Sequence, residues 1–329
     1  YWVGAVLINE AALTDKLGLF SDMVVFSSYA MQVVMAFMML VMIFVMLPRA
    51  SVAAKRILEV LDTKTTIVDG TKTEGEKGIR GEVCFNNVSF RYPDAEEDVL
   101  TDISFTAKPG ETVAFIGATG CGKSTLINLI PRFYDVTAGE VLVDGVNVRE
   151  YTQKSLHNKI GYVSQKAILF SGTISDNVAY GDDGRGKKFH GDIETAIRTA
   201  QAKEFVEKDG VGYQGFVAQG GSNFSGGQKQ RLSIARAICR KPEIFIFDDS
   251  FSALDYRTDN VLRNALKKDC KDATKIIVAQ RIGTIRDADK IIVLDEGEMV
   301  GIGTHDELMQ NCEVYRQIAY SQLSKEELA

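Results

Sequence analysis

The run Gly117-Ala118-Thr119-Gly120-Cys121-Gly122-Lys123-Ser124-Thr125 places glycines where successive backbone N–H groups can turn inward around an anion. It fits G-x-x-x-x-G-K-[ST] at every fixed position. In such a loop Lys123 reaches the β and γ phosphates of a nucleotide, Ser124 offers a hydroxyl to Mg2+, and Thr125 adds a hydroxyl near the α phosphate. Cys121 reads as a small residue whose side chain matters little, with redox sensing as the alternative. A short apolar run, Thr112 to Ile116, enters the loop directly. The expected order is therefore strand, loop, helix, which sets phosphates at a helix N-terminus where unpaired N–H groups and the helix dipole favour an anion. A second apolar run, Glu243 to Phe247, ends in Asp248. At the carboxyl end of a central parallel strand, Asp248 is the expected Mg2+ partner, acting through the metal's water shell because Mg2+ dehydrates reluctantly. The single Asn-Lys pair, Asn158-Lys159, is followed by Ile160-Gly161 and lacks the aspartate that would read guanine, which argues against a GTPase.

The elements that position these residues lie in a chain of 329 residues, 45% hydrophobic and 25% charged. That is enough for one large domain and an appendage. The net charge of −6 and the lack of a basic block interleaved with aromatics argue against a nucleic-acid partner. Five cysteines, odd in number and without a C-x-x-C pair, argue against a disulfide framework or zinc site and suit a reducing cytosol. From Met23 to Leu47 there are 25 consecutive residues without a formal charge. As a helix these would span ~37 Å at ~1.5 Å per residue, enough to cross a bilayer with some tilt. Their length, seven methionines and lack of a polar face favour a membrane helix over a buried core helix. No basic segment precedes them as in a signal peptide. Arg49, Lys55 and Arg56 follow the span while Glu10, Asp15, Lys16 and Asp22 precede it, which places the following domain in the cytosol. Residues 1–50 are thus expected to be the C-terminal fragment of a transmembrane domain: the end of one helix, a loop, and a last helix at about 23–47. Residues 51–80 are expected to be a helical extension, with Ala54, Ile57, Leu58, Val60 and Leu61 at helical spacing, and then a linker from Asp62 to Arg80. Residues 81–329 make the nucleotide-binding domain.

About a hundred residues beyond the phosphate loop, Phe224-Ser225-Gly226-Gly227-Gln228 resembles the signature of ATP-binding-cassette (ABC) proteins, and the resemblance runs from Gly81 to about Gln322. It implies an α/β P-loop NTPase, with a RecA-like core, an antiparallel β subdomain and an α-helical subdomain at about 166–238, preceded by a transmembrane α-helix. In that family the signature caps the γ-phosphate of a nucleotide held by a second domain, so Ser225, Gly226, Gly227 and Gln228 would act on a partner's ATP. Tyr92, in Phe90-Arg91-Tyr92-Pro93, matches the aromatic residue on which adenine stacks, a core tyrosine being the alternative. Gln165, in Tyr162-Val163-Ser164-Gln165, matches the glutamine that joins the Mg2+ shell and transmits its state to the helical subdomain. Leu169 to Ile174 resembles the exporter segment that faces the membrane domain's coupling helices. Ser252-Ala253-Leu254-Asp255 matches the loop that crosses to the other nucleotide site. An uncharged helix before such a domain resembles type IV exporters, the multidrug, lipid and peptide family. The resemblance implies a half-transporter in the cell membrane, multi-pass at full length, with its nucleotide-binding domain cytoplasmic. Its partners would be a second half-transporter, the lipid bilayer and an exported small molecule, lipid or peptide.

Two departures from the family pattern stand out. Asp249 occupies the place where the family usually has the Glu that polarises the attacking water, and Gln280, in Val278-Ala279-Gln280-Arg281, the place of a histidine that touches the γ-phosphate. A carboxylate set back by one methylene, about 1 Å, can cost ~10²-fold, and loss of a positioned base ~10²- to 10⁴-fold. A glutamine donates a hydrogen bond to phosphate but carries no positive charge. Asp249, Gln280 and Gln165 are the expected catalytic set, and the expected site binds ATP and turns it over slowly. The combination resembles the degenerate-site subunit of a heterodimeric exporter. Neutral drift, a homodimeric exporter with two slow sites, and a soluble DNA-handling or ribosome-associated ATPase are the alternatives. The membrane helix and the lack of a long coiled-coil insertion argue against the last. Gln219, where many exporters have Glu, is a further departure that sequence reasoning does not interpret.

Overall fold

The computed structural model describes residues 1–181, 190–208 and 212–322. It divides into two units, Tyr1–Thr66 and Ile67–Ala329. Residues 182–189 and 209–211 of the expected 166–238 subdomain, and 323–329 of the nucleotide-binding domain, lie outside the described residues.

In the first unit, a helix at Trp2–Glu10 packs on the 46-residue helix Lys16–Leu61. Gly4 meets Met23 there, and a Cβ at Gly4 would stand 2.7 Å from the Met23 sulfur. Among the described residues, Lys16–Leu61 is the one helix long and apolar enough to cross a membrane, with a mean hydropathy of 2.6 over its best window. It begins before the expected 23–47 span and continues through Pro48 to Leu61. A proline removes only its own N–H from the ladder, and the flanking turns are strong helix formers (Met46, Leu47, Arg49, Ala50).

In the second unit, twelve strands are found among the described residues. They are β1 (Val83–Phe90), β2 (Leu100–Ala107), β3 (Thr112–Ile116), β4 (Ala138–Val143), β5 (Val146–Asn147), β6 (Ile160–Val163), β7 (Gly172–Thr173), β8 (Phe216–Val217), β9 (Ile244–Asp248), β10 (Thr274–Val278), β11 (Lys290–Asp295) and β12 (Glu298–Gly303). The central sheet has the order β12-β11-β3-β10-β9-β6, parallel except for β12 at one edge. All five residues of β9 and of β10 are buried, as expected of parallel strands covered on both faces. Alternate residues serve different cores. Phe245, Phe247 and Ile277 join the helix Gly226–Cys239 on one side, while Ile244, Ile246 and Ile276 meet the phosphate-loop helix Lys123–Leu129 and an antiparallel sheet on the other. That second sheet runs β2-β1-β4-β5. Phe105 joins the two sheets, stacked on Phe85 at 4.7 Å and edge-on to Phe115 at 5.3 Å. The described part of the 166–238 region is helical, with β7 and β8 forming a small antiparallel pair inside it.

Residues 67–80, expected to be linker, are strapped onto the domain by backbone bonds. Gly70 N–H donates to Tyr151 O at 2.9 Å, Lys72 N–H to Glu150 O at 2.8 Å, and Glu76 N–H to Asp144 O at 2.8 Å. Buried Arg132, just past the phosphate-loop helix, donates to Val68 O at 2.9 Å. At the strap's end, fully buried Asp144 accepts from Gly81 and Glu82 N–H and pairs with Lys159 Nζ at 2.6 Å, and Lys159 also reaches Glu243 at 2.9 Å. Removing one member of a buried pair leaves its partner uncompensated. Asp144→Ala is therefore expected to cost about 3–5 kcal/mol of unfolding free energy, measured by denaturant unfolding of the chain. A loss below about 1 kcal/mol, the value of an exposed pair, would show the network to be incidental.

Candidate functional site

The carboxyl ends of β3, β9 and β10 open on one cavity of about 220 Å3. β3 delivers Gly117 and the loop, and the helix at Lys123–Leu129 starts from Gly122 at φ 95°. Only glycine fits at two points. A Cβ on Gly117 would collide with the Leu294 carbonyl, and one on Gly122, in its left-handed conformation, would stand 2.7 Å from Leu100 Cδ2. Lys123, buried, donates its ammonium to Gly117 O at 2.8 Å and Ala118 O at 2.7 Å, so the cation is held over the loop. Cys121 is buried beneath, its sulfur 3.5 Å from the same ammonium.

β9 delivers the two acids. Ser124 Oγ donates to Asp248 Oδ1 at 2.8 Å. Asp249 follows in a left-handed conformation, φ 46°, its N–H donating to Val278 O at 3.0 Å, and this turns its carboxylate towards different partners. Gln165 Nε2 donates to Asp249 Oδ2 at 3.1 Å, and Gln280 Nε2 donates to the same oxygen at 2.9 Å. Burial pushes the Asp249 carboxyl above the usual aspartate range; the Gln165 amide opposes this and the charge of Asp248 adds to it.

Thr119, Gly120, Thr125, Gln165 and Gln280 complete the cavity wall with the residues above. Tyr92 stands beside it, half-buried, its hydroxyl 3.0 Å from Thr125 Oγ1 and its ring edge-on to Tyr134 at 5.2 Å. Ser225, Gly226, Gly227, Gln228 and Asp255 do not line this cavity. Ser225 caps the helix Gly226–Cys239 in a reciprocal box with Gln228, 2.9 and 3.3 Å. Ser225 and Gly226 are exposed, and a Cβ at Gly226 would meet nothing within 4 Å. Asp255 caps the helix Tyr256–Asp269 by accepting from Thr258 N–H, which with the neighbouring charge of Arg231 holds its carboxyl below the usual range. Gln219 is exposed and opens a turn at 219–221 that ends on buried Gly221.

One site residue escapes the sequence. Tyr162 OH donates to Asn128 Oδ1 at 2.9 Å and lies 3.4 Å from Asp248 Oδ2, so it braces the carboxylate from the side opposite Ser124. The phenol's own acidity is suppressed by burial and by the Asp248 charge. The one available signal was its position in the strand run ahead of Gln165.

Residues 100–252 match the model of the ABC transporter family. The chain belongs to the ABC transporter family. It is 47% identical over 323 residues to an ABC transporter ATP-binding protein of Mycobacterium tuberculosis, covering 98% of this chain and 54% of that protein. Multidrug resistance protein 1 of Entamoeba histolytica is 42% identical over 273 residues, 82% of this chain and 21% of that one. Among solved structures, a bacterial Atm1-family ABC exporter with ATP bound superposes with a TM-score of 0.77 at 32% identity, covering 95% of this chain and 53% of that one. The chain spans about half the length of the M. tuberculosis relative and of the Atm1-family exporter. The α/β P-loop NTPase fold expected from the sequence is the fold observed.

An acid whose folded pKa is raised contributes stability below its unfolded pKa and loses it as pH rises through the folded value. Asp249 is such an acid, so ionising it at neutral pH strains the nucleotide-free domain. Asp249→Asn is expected to raise the thermal midpoint at neutral pH, with the gain vanishing as the pH falls below the usual aspartate range. A lower midpoint at neutral pH would contradict this.

Proposed function

We propose that this chain is the ATP-binding and ATP-hydrolysing part of a membrane ABC exporter, that its own nucleotide site is slow, and that its signature serves a second half-transporter. The observation that carries the reading is the environment of Asp249, whose Oδ2 is held by two neutral glutamine amides, at 3.1 and 2.9 Å. Two amide donors occupy the lone pairs of that oxygen and leave only Oδ1 of a short side chain to take a proton from water. Among the residues lining the cavity there is no histidine or glutamate.

The loop fits a triphosphate. Its glycines leave no room for a Cβ at Gly117 or Gly122, and Lys123 supplies the cation. Ser124 and Asp248 present a paired hydroxyl and carboxylate, the hard oxygen donors that Mg2+ takes. When bound, Mg2+ would neutralise charge developing on the phosphate oxygens. In this reading Lys123 swings from the loop carbonyls to the phosphates, Tyr92 flanks the adenine, and Asp249, already engaged, orients water poorly.

The signature at Ser225 to Gln228, exposed at Ser225 and Gly226 and away from the cavity of its own loop, supports action on a nucleotide held by a partner domain. Lys16–Leu61 supports a place in the cell membrane, and the Arg49, Lys55 and Arg56 flank supports a cytoplasmic domain. The names of similar proteins, a multidrug resistance protein and an ABC exporter, support efflux as the direction of transport.

In the assembled transporter, Ser225→Arg or Gly226→Asp is expected to abolish most ATPase activity, and Asp249→Asn to lower it only modestly. Equal damage from the two classes would contradict the slow-site reading and favour two equivalent sites.

A further inference from the structure

Gln280 sits on the loop between β10 and the short helix Ile282–Ile285. That helix has no side-chain cap from its own N-cap residue, Arg281. The missing contact comes from the far end of the chain. Gln322 Oε1 accepts from Ile282 N–H at 2.9 Å, and Gln322 Nε2 donates to Gln280 O at 2.7 Å. One amide thus spans the main chain on both sides of Arg281, satisfying an otherwise unpaired first-turn N–H and fixing the carbonyl of Gln280.

The aim of Gln322 follows from the packing of the helix Glu313–Gln322. Tyr315 and Ala319 are fully buried, and residues four and seven positions apart share a helix face, so Gln322, itself exposed, is carried on the face that docks the helix. Tyr315 is further locked by its hydroxyl, 2.7 Å from His305 Nδ1 in the preceding helix His305–Asn311.

We propose that Gln322 is a positioning residue for Gln280, so that the C-terminal helix sets one wall of the nucleotide site. The relay is short: the Gln322 amide fixes the Gln280 main chain, and the Gln280 side chain holds Asp249 Oδ2 at 2.9 Å. Loosening the C-terminal helix frees Gln280 to leave Asp249, which alters how long the site keeps ATP. The inference rests on the reading of Asp249 and Gln280 as parts of this chain's own slow site.

The test is the release rate of labelled ATP retained by the full-length assembled transporter, with Gln280→Ala, Gln322→Ala, the double variant and Gln322→Glu. Gln322→Ala should change release by about 2- to 10-fold, the range for one or two neutral hydrogen bonds. Gln280→Ala should change it in the same direction, and the double variant should match Gln280→Ala alone. Gln322→Glu keeps the acceptor for Ile282 N–H but has no donor for Gln280 O, and should fall between wild type and Gln322→Ala. A change with Gln280→Ala and none with Gln322→Ala, or full additivity in the double variant, would overturn the relay and leave the slow-site reading standing. No change with Gln280→Ala would overturn both.

Discussion

Two carboxylates stand on adjacent residues at the mouth of a buried strand, and the surroundings of β9 must keep them from repelling each other into the wrong shape. The domain solves this by turning them apart. The left-handed conformation of Asp249 separates its side chain from that of Asp248, so each carboxylate meets its own donors. Asp248 is held by Ser124 and faces Tyr162; Asp249 by Gln165 and Gln280. Those donors come from the phosphate-loop helix, from β6 and the segment after it, and from the end of β10. The site is thus where elements from across the sheet are tied together, and its geometry depends on the register of the sheet.

The same ties reach outward. Gln230, buried in the signature helix, donates to Ser164 O at 3.1 Å, next to Gln165. Arg236, six residues further along the same helix, donates to Asn177 O at 2.8 Å and Ile168 O at 2.9 Å, and its guanidinium lies over Phe170 and Tyr180 at 5.5 and 5.6 Å. An arginine that combines carbonyl bonds with two aromatic faces makes the signature helix and the 168–180 segment move as one body. A change at Gln165 therefore has a short covalent and hydrogen-bonded route to both the signature and the exposed aromatic surface. On the opposite side of the sheet, Arg132 ties the end of the phosphate-loop helix to the 67–80 strap.

The phosphate loop was legible because its requirement is local: Gly117 and Gly122 are forced by backbone shape within a few residues of Lys123. β3 and β9 were legible because buried parallel strands are continuous apolar runs, with Asp248 at the end of β9 as the one break in the pattern. The strap was not legible, since Gly70, Lys72 and Glu76 attach through main-chain groups while their side chains are those of a solvated linker. Tyr162 and Gln322 were hidden for another reason. Their partners lie 86 and 42 residues away, and nothing in a tyrosine on a strand or a glutamine at a helix end announces a distant carboxylate or carbonyl. The Asp249 and Gln280 substitutions were visible as departures from a pattern, but their meeting on one oxygen required the structure.

The central claim is that Asp249 and Gln280 make the site slow, and restoring the expected chemistry tests it most directly. Single-turnover ATP hydrolysis at this chain's own site would be measured in the assembled transporter with Asp249→Glu and Gln280→His combined. If the shortened acid and the neutral amide limit the reaction, the double variant hydrolyses ATP roughly 10-fold faster or more, part of the ~10²-fold that a misplaced base can cost. An unchanged or lower rate, with ATP still bound, would contradict the account.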